Sequence, residues 1–276
     1  MKCFYNVYRM EDGSEDEYDV VVVGGGLAGL SAARTLVTHD SSLRVSLLEA
    51  GARLGGRVET VKGDDTGAHW VSRSQTRVMG LLSQYQLSVR SQHTLGTKMM
   101  QLSNVGLRSY SSVLPDLGSW LALVELGWVI RTMDTMASRV NTLDPVISVR
   151  RGEEWDSETL GSWMVHNTRF KSVRDVFSAA IRCTFGVEPS QMSLLLFLTI
   201  IKSTGGGVNR LFEASDGAAQ EFIVEKGTGA IVDSIHEEIK TDVNIMLDQA
   251  VTTIEQITDS SDVFVMTSGM NNSPKN

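Results

Sequence analysis

The sequence contains few cysteines and histidines, the residues that form disulfides and many metal sites. It has 276 residues but only 2 cysteines, Cys3 and Cys183, and 5 histidines. Two cysteines so far apart exclude a disulfide framework and offer no paired spacing for zinc or an iron–sulfur cluster, so no metal site is expected. The formal charge of −8 at pH 7 argues against a nucleic-acid partner, because phosphate backbones are bound by excess Lys and Arg.

Long apolar runs are also missing. The longest, Met192–Ile201, falls well short of the roughly 20 residues that span a bilayer, so it predicts a buried core helix. The first ten residues have only Lys2 and Arg9 as basic residues and no apolar core, unlike a secretory signal. We therefore expect a soluble globular chain in a reducing compartment, with no membrane segment.

Hydrophobic patterning predicts strands near both ends of the chain. The β-branched run Val20–Val23 is typical of a strand covered on both faces in a parallel sheet, and Val45–Leu48 predicts a second strand. Apolar residues at helical spacing predict a helix over Ser74–Leu87. The later elements are predicted as a helix at Thr228–Lys240 and strands at Val243–Leu247, Val251–Ile257 and Val263–Thr267.

The middle of the chain is predicted to be mainly helical, because apolar residues there recur three and four positions apart. One stripe consists of Leu117, Trp120, Leu121, Val124 and Trp128. A second stripe consists of Val173, Val176, Phe177, Ala180 and Ile181. Aromatic residues at this spacing usually pack in a core, so the tryptophans are expected to be buried and not to form a ligand site.

The strand at Val20–Val23 leads directly into Gly24-Gly25-Gly26-Leu27-Ala28-Gly29, and Glu49 lies 20 residues beyond Gly29, after the second strand. A GxGxxG turn between a buried strand and a helix, followed by such an acid, is typical of dinucleotide binding. Gly24 is predicted to make the sharp turn, and Gly26 to let the backbone approach a pyrophosphate. Gly29 would let the helix pack closely against the strand.

Helix N-termini attract phosphate, so the predicted helix would face the pyrophosphate. Glu49 would accept hydrogen bonds from ribose hydroxyls, and its charge would repel a 2′-phosphate, which argues against NADP.

A second glycine pair, in Arg53-Leu54-Gly55-Gly56-Arg57, follows Glu49. Together with Asp65–Val71 and Gln75, the stretch Val20–Arg57 resembles the flavin-containing amine oxidases, which include the monoamine oxidases. The resemblance extends from about Tyr18 to Gly269. Similarity to the monoamine oxidase substrate domain is carried by Trp155–Trp163, Phe185–Pro189, Met192–Leu198, Gly205-Gly206 and Gly217–Glu221.

The resemblance implies an α/β fold, with a Rossmann-like FAD-binding domain and an inserted, mainly helical α+β substrate domain. It implies FAD as the cofactor and oxidation of an amine to an imine and then an aldehyde, with release of ammonia and hydrogen peroxide. The predicted segments are an acidic disordered tail over 1–17, the FAD-binding domain over 18–95 and 226–267, a partial substrate-binding domain over 96–225 and a polar tail over 268–276.

The resemblance also implies binding residues. The cofactor set is Gly24, Gly26, Ala28, Gly29, Glu49, Ala50, Arg53, Gly56, Arg57, Gly67, Trp70 and Val251. On the substrate side, Gln220 matches a glutamine that lines the amine cavity, and Leu211 or Phe212 falls near its gate. Cys183 and Thr184 also fall near the cavity, although ordinary helix core is an equal alternative for these two.

The sequence departs from the family pattern at several positions. Gly51 stands where the family often has arginine, and Ala68 replaces the second glycine near the flavin. His69 replaces a small residue and would lie beside the flavin. The family's later half, which supplies the active-site lysine and the aromatic pair, has no match here, so catalytic residues stay unassigned and the chain is interpreted as C-terminally truncated.

The sequence also allows other interpretations. The chain could be a non-catalytic FAD-binding fragment or interaction partner, and within the family a polyamine or L-amino-acid oxidase is the main competitor. An NAD-dependent dehydrogenase is disfavoured by the Arg53–Arg57 motif. The expected partners are a small amine and oxygen, with a homodimer left open. Full-length members of the monoamine type lie on the mitochondrial outer membrane, whereas this chain, lacking an anchor, is expected in the cytoplasm.

Overall fold

The computed structural model describes residues 6–9, 15–102, 105–215, 217–256 and 263–269. The strands are β1 Asn6–Arg9, β2 Glu15–Tyr18, β3 Val20–Val23, β4 Val45–Leu48, β5 Thr60–Val61, β6 Asp64–Asp65, β7 Trp70–Val71, β8 Val89–Ser91, β9 Lys98–Leu102, β10 Gly106–Tyr110, β11 Phe222–Val224, β12 Val243–Met246, β13 Gln249–Gln256 and β14 Val263–Gly269.

The helices are α1 Leu27–His39, α2 Thr76–Gln84, α3 Trp120–Ser138, α4 Pro145–Ser148, α5 Gly152–Ser157, α6 Leu160–Asn167, α7 Lys171–Phe185, α8 Leu194–Ser203, α9 Val208–Phe212 and α10 Gly229–Ile239, with a 3-10 turn at Pro189–Gln191. The described residues divide into two compact units. The first unit draws on 1–69, 80–89 and 224–276, and the second on 70–79 and 90–223.

The first unit contains a parallel sheet in the order β12-β4-β3. All four residues of β4 are buried, and helix α1 packs on β4 and on α10. The strand predicted at Val20–Val23 is confirmed, but its expected burial on both faces is wrong. β3 has one hydrogen-bonded neighbour in the described chain, and its residues are partly exposed because that edge position leaves one side open.

A second sheet in this unit has the order β13-β14-β1-β2. β1 pairs in parallel with β14 and antiparallel with β2. The expectation of a disordered acidic tail over 1–17 is therefore wrong for residues 6–9 and 15–17, while residues 1–5 and 10–14 lie outside the described ranges. Acidic side chains tolerate a sheet edge because they remain in water while the backbone pairs. The polar tail over 268–276 lies largely outside the described residues.

The second unit is built around a helical core. Helix α8 buries Leu194, Leu195, Phe197, Leu198 and Ile201, which confirms the core helix predicted from the longest apolar run. Ser193 begins the helix by accepting a hydrogen bond from the backbone N–H of Leu196 at 3.0 Å. Helix α7 buries Val173, Phe177 and Ile181 of the second predicted stripe.

Helix α3 faces the core with a different side from the predicted one. Its buried residues are Ala122, Leu126, Val129, Met133 and Ala137. The expected burial of Trp120 and Trp128 is wrong, because these side chains are 72 % and 48 % exposed. The helix has apolar residues on two sides, and the smaller side chains allow close packing in the core.

Among the described residues, no helix combines the length and the apolar character needed to cross a bilayer.

Candidate functional site

The turn between β3 and α1 is shaped by two glycines. Gly24 has a φ of +98°, and its backbone N–H donates to the carbonyl of Leu48 at 2.7 Å. A Cβ added to Gly29 would lie 1.9 Å from the carbonyl oxygen of Gly24. The turn therefore needs glycine at 24 for its backbone conformation and at 29 for the close approach of helix and loop.

Gly26 differs from both of these glycines. Its φ is −73°, which any residue adopts, and of the atoms that the structure describes a Cβ there would meet only the carbonyl oxygen of Gly55, at 3.9 Å. The fold of the described residues therefore places no demand for glycine at position 26. The space beside this backbone is open, as a closely bound group would require.

The N-terminus of α1 begins at this open backbone. Among the described residues no side chain caps it, and its first turn contains no acidic residue. Ala28, the second residue of the helix, is exposed. A helix N-terminus carries partial positive charge, so this one suits an anion such as a pyrophosphate.

Glu49 is the residue that ties the glycine loop to the end of β4. Its Oε2 accepts a hydrogen bond from Gly25 N–H at 2.6 Å, and its Oε1 accepts one from Gly51 N–H at 2.8 Å. Each carboxylate oxygen can accept further bonds, so these contacts leave capacity for ribose hydroxyls. Gly51 lacks the family's arginine side chain, but its backbone helps to orient Glu49.

The second glycine pair packs directly on the first loop. Gly55 N–H donates to Gly25 carbonyl at 2.8 Å, and a Cβ on Gly56 would lie 3.4 Å from Gly26 Cα. Arg53 holds this second turn together: its guanidinium donates to the carbonyls of Leu54, Gly56 and Val58 and forms an ion pair with Glu59 at 3.0 Å. Arg53 therefore acts within the chain by shaping the loop.

The Thr60–Asp65–Thr228 network, made of the side chains of these three residues, was not found by sequence reasoning. The Asp65 carboxylate, whose side chain is 1 % exposed, accepts from Thr60 Oγ1 at 2.6 Å and from Thr228 N–H at 2.8 Å. Gly229 N–H, in the first turn of α10, donates to Thr60 Oγ1 at 2.9 Å. The network therefore fixes the start of α10 against the loop that leads to Gly67.

Gly67 and its neighbours lie beside the second glycine turn. A Cβ on Gly67 would lie 2.2 Å from Arg57 carbonyl oxygen, and Ala68 N–H donates to the same oxygen at 3.0 Å. His69 Nδ1 lies 3.8 Å from Asp65 Oδ2, so a protonated imidazole would pair with that carboxylate. Position 67 thus needs glycine for packing within the chain.

The remaining predicted cofactor residues are more scattered. Ala50 follows Glu49 and is partly exposed, and the side chain of Arg57 is exposed. Val251 on β13 packs against the buried pair of Leu48 and Val265. Trp70 belongs to the second unit, where it is 43 % exposed.

The second unit holds a cavity of about 390 Å³. Its walls are mainly apolar and come from β9, β10, α3, α7 and α9, with Met99, Met100, Ile130, Phe177 and Phe212 among them. The volume falls in the range typical of small-ligand sites, about 300–1,000 Å³. Such a lining suits a ligand with an apolar body.

Charged groups occur at one place on the cavity wall. Glu213, a lining residue, accepts hydrogen bonds from Lys98 Nζ at 2.9 and 3.0 Å, one to each carboxylate oxygen. Lys98 Nζ also lies 5.9 Å from the ring centre of Tyr110, another lining residue. The two charged residues are 115 positions apart, so no local sequence signal could have paired them.

The structure brings two of the predicted substrate residues to this cavity. Cys183 and Phe212 line it, and Phe212 stacks on Phe197 with ring centres 6.4 Å apart. Leu211 points into the core at 3 % exposure, and neither Thr184 nor Gln220 is a lining residue. The described chain thus offers Phe212, and not Leu211, as the candidate for a gate.

The residue after Gln220 is more constrained than Gln220 itself. The Glu221 side chain is 4 % exposed and forms an ion pair with Arg73, whose guanidinium also lies 5.7 Å from the ring centre of Phe222. Glu221 is thus held by a partner whose side chain is 55 % exposed, and the pair fixes the backbone next to Gln220.

Comparison with known proteins extends along nearly the whole chain. A family model described as flavin containing amine oxidoreductase matches residues 27–272. Flavin-containing amine oxidase A of Equus caballus is 29 % identical over 248 residues, which are 88 % of this chain and 46 % of that protein. A flavin-containing amine oxidase of Danio rerio is 30 % identical over 253 residues, 89 % of this chain and 47 % of that protein.

The chain therefore spans about half the length of these relatives. Solved structures of similar fold include cyclohexylamine oxidase from Brevibacterium oxydans, with a TM-score of 0.78 and 21 % identity over 91 % of this chain and 55 % of that one. A redesigned putrescine oxidase has a TM-score of 0.74 and 20 % identity over 94 % of this chain and 57 % of its own. Since the family model covers most of the sequence, this chain belongs to the flavin-containing amine oxidoreductases, a family of FAD-dependent oxidoreductases.

Proposed function

We propose that this chain binds FAD through a Rossmann-like domain and contributes to a monoamine oxidase-like enzyme, with the second unit as its inserted substrate domain. The proposal rests on the open space beside the backbone of Gly26. The fold does not need glycine there, whereas a pyrophosphate lying against the backbone would. The uncapped N-terminus of α1 beside it, free of acidic residues, supports the same ligand.

Most of the predicted cofactor residues would contact a separate part of FAD or shape the loop behind it. Ala28 would meet the pyrophosphate through its backbone, while Glu49 and Ala50 would hold the adenosine ribose. Arg57 would reach the phosphate or ribityl region, and Val251 would meet the adenine. Gly67 and Trp70 would approach the ribityl–flavin end, while Gly56 and Arg53 would shape the loop behind the pyrophosphate.

When bound, FAD supplies the redox chemistry of the proposed reaction, in which an amine becomes an imine, the imine hydrolyses to an aldehyde and ammonia, and oxygen becomes hydrogen peroxide. The residues of this chain would bind and orient the two reactants. Phe212 and the apolar cavity wall would hold the body of the amine and exclude water, with Cys183 on the same wall.

The test is flavin binding by the purified chain and by two matched Gly→Ala variants. Gly26→Ala should still fold, with a modest loss of stability because Ala is a poorer N-cap residue than Gly. It should bind FAD at least about tenfold more weakly, because its methyl group would occupy the pyrophosphate space. Gly80→Ala in α2, where a Cβ meets nothing within 4 Å, should leave the affinity unchanged. FAD titration followed by flavin fluorescence gives both values, with NAD as the comparison ligand.

Glu49 needs a conservative variant, because its carboxylate also holds Gly25 and Gly51. Glu49→Gln keeps one oxygen acceptor and should weaken FAD binding while the fold survives. A folded wild-type chain that binds no FAD, or a Gly26→Ala variant that binds as well as wild type, would contradict the proposal.

A second candidate is FAD binding without turnover, favoured by the fact that no residue among the described ones is assigned a catalytic role. Anaerobic addition of an amine to the FAD-loaded chain separates the two. Loss of the flavin's visible absorbance supports oxidation, and an unchanged spectrum supports binding alone.

A further inference from the structure

The only charged side chain on the described wall of the 390 Å³ cavity is that of Glu213. A bare carboxylate on an otherwise apolar wall would be a strong site for an alkylammonium ion, because opposite charges attract more strongly away from bulk water. Here that carboxylate already has a partner within the chain.

The partner is itself a primary alkylammonium. Lys98 places its Nζ 2.9 and 3.0 Å from the two oxygens of Glu213 and 5.9 Å from the ring centre of Tyr110. A carboxylate and an aromatic face together make a favourable setting for such a cation. The side chain of Glu213 is 23 % exposed and that of Lys98 is 39 % exposed, so the pair lies at the boundary between cavity wall and solvent.

The position of Lys98 is fixed by the β9–β10 hairpin. Lys98 pairs with Tyr110 across the two strands, and Met99 and Met100, which follow it, line the cavity. Glu213 directly follows helix α9, whose last residue, Phe212, is also on the wall. The ion pair therefore joins two separate walls of the same cavity.

We propose that Lys98 is a specificity-determining residue: by occupying Glu213, it restricts the cavity to amines whose far end is apolar and rejects diamines. The inference rests on the proposed function, in which this cavity receives the amine. A diamine would bring a second ammonium into an apolar space whose single carboxylate is already neutralised, and desolvating that charge without a partner is costly.

The test compares butylamine with 1,4-diaminobutane, which differ only in the second ammonium. Their dissociation constants would be measured by calorimetry at low salt with the full 276-residue chain. Wild type should bind butylamine more tightly than the diamine. Lys98→Met keeps a similar length and frees Glu213, so the ratio of diamine to butylamine affinity should rise at least about tenfold.

Two further variants make the result specific. Lys98→Arg keeps the ion pair and should retain the wild-type ratio. Lys98→Met combined with Glu213→Gln keeps the altered side chain at 98 but removes the carboxylate, and should return the ratio to the wild-type value. Circular dichroism melting curves identify any variant that fails to fold; should Lys98→Met not fold, Lys98→Leu, which also frees Glu213, takes its place with the same expected rise in the ratio.

The outcomes separate the two proposals. If butylamine binds but Lys98→Met leaves the ratio unchanged, or raises both affinities equally, the role of Lys98 is wrong while the amine cavity stands. A wild type that already prefers the diamine also overturns the role of Lys98. If neither amine binds to any folded variant, the cavity is not the amine site, and the proposed substrate domain fails together with this inference.

Discussion

The glycine loops of the first unit and the cavity of the second are built in opposite ways. Around Gly24–Gly29 and Gly55-Gly56, backbone atoms approach one another so closely that several positions have no room for a side chain. The cavity is instead lined by side chains, most of them apolar, and is partly open to solvent. The first region should therefore be sensitive to added atoms, and the second to atoms removed.

The largest expected effect comes from removing a side chain in the second unit. Phe197 is 0 % exposed and stacks on Phe212, so Phe197→Ala should lower the free energy of unfolding by about 3–5 kcal/mol. Trp120→Ala removes a larger ring that is 72 % exposed and should cost less than about 0.5 kcal/mol. Urea unfolding measures both losses of free energy. Equal losses would contradict the buried position of Phe197 and the exposed position of Trp120.

The next effect comes from adding a methyl group in the first unit. Gly29→Ala places a Cβ 1.9 Å from Gly24 carbonyl oxygen, and should cost about 2–3 kcal/mol because backbone must move. Gly80→Ala is the same change in an open helix position and should stabilise by up to about 1 kcal/mol. Changes of opposite sign in the free energy of urea unfolding would support the contrast between the crowded and the open position. A Gly29→Ala variant as stable as wild type would contradict it.

A smaller effect is expected from the Thr60–Asp65–Thr228 network. Its hydrogen bonds come from side chains, although it lies in the first unit, whose glycine loops are shaped by backbone contacts. Asp65→Ala leaves the Thr228 N–H without its acceptor and should cost about 2 kcal/mol. Asp65→Asn keeps an oxygen at that position and should recover most of the loss. Thermal unfolding provides the comparison, with the exposed neighbour Asp64→Ala as the control that should change little.

The smallest effect concerns pH. Burial, together with a hydrogen bond to Glu238, raises the pKa of Tyr85 from 10.0 to about 12. A raised pKa of this acid favours the folded state while the phenol is neutral, so the contribution is complete below pH 10 and is lost as pH rises through about 12.

The urea concentration at the unfolding midpoint should accordingly fall between pH 10 and about 12. Tyr85→Phe should make the midpoint depend less steeply on pH in that range. Ultraviolet titration of the 5 tyrosines should find one that ionises late in wild type and not in the variant. A wild-type slope equal to that of the variant would contradict the assignment to Tyr85.

The two regions also differ in how far sequence predicts them. The glycine turn, the strand before it and Glu49 belong to one short stretch, so their local pattern was enough to predict their arrangement. The edge position of β3 was missed, because strand order depends on pairing between distant segments. Burial of Trp120 was predicted wrongly, since α3 is apolar on two sides and periodicity alone cannot select the side that meets the core.

The cavity was predicted only in part, because its walls come from five separate elements. Cys183 and Phe212, which line it, were predicted as substrate residues through the resemblance to the family, and that role stays a prediction. The pairing of Lys98 with Glu213 has no counterpart in local sequence. The predicted roles of the cofactor residues stay predictions until flavin binding is measured.

The parallel pairing of β4 with β12 also has a consequence for the order of folding. Ser46 and its partner Asn244 are 198 positions apart, and the sequence between them contains the whole helical unit. Closing so long a loop is slow, whereas contacts between neighbouring helices form early. During synthesis, the second unit can therefore fold before β12 has left the ribosome. The parallel sheet next to the glycine loop can be completed only afterwards.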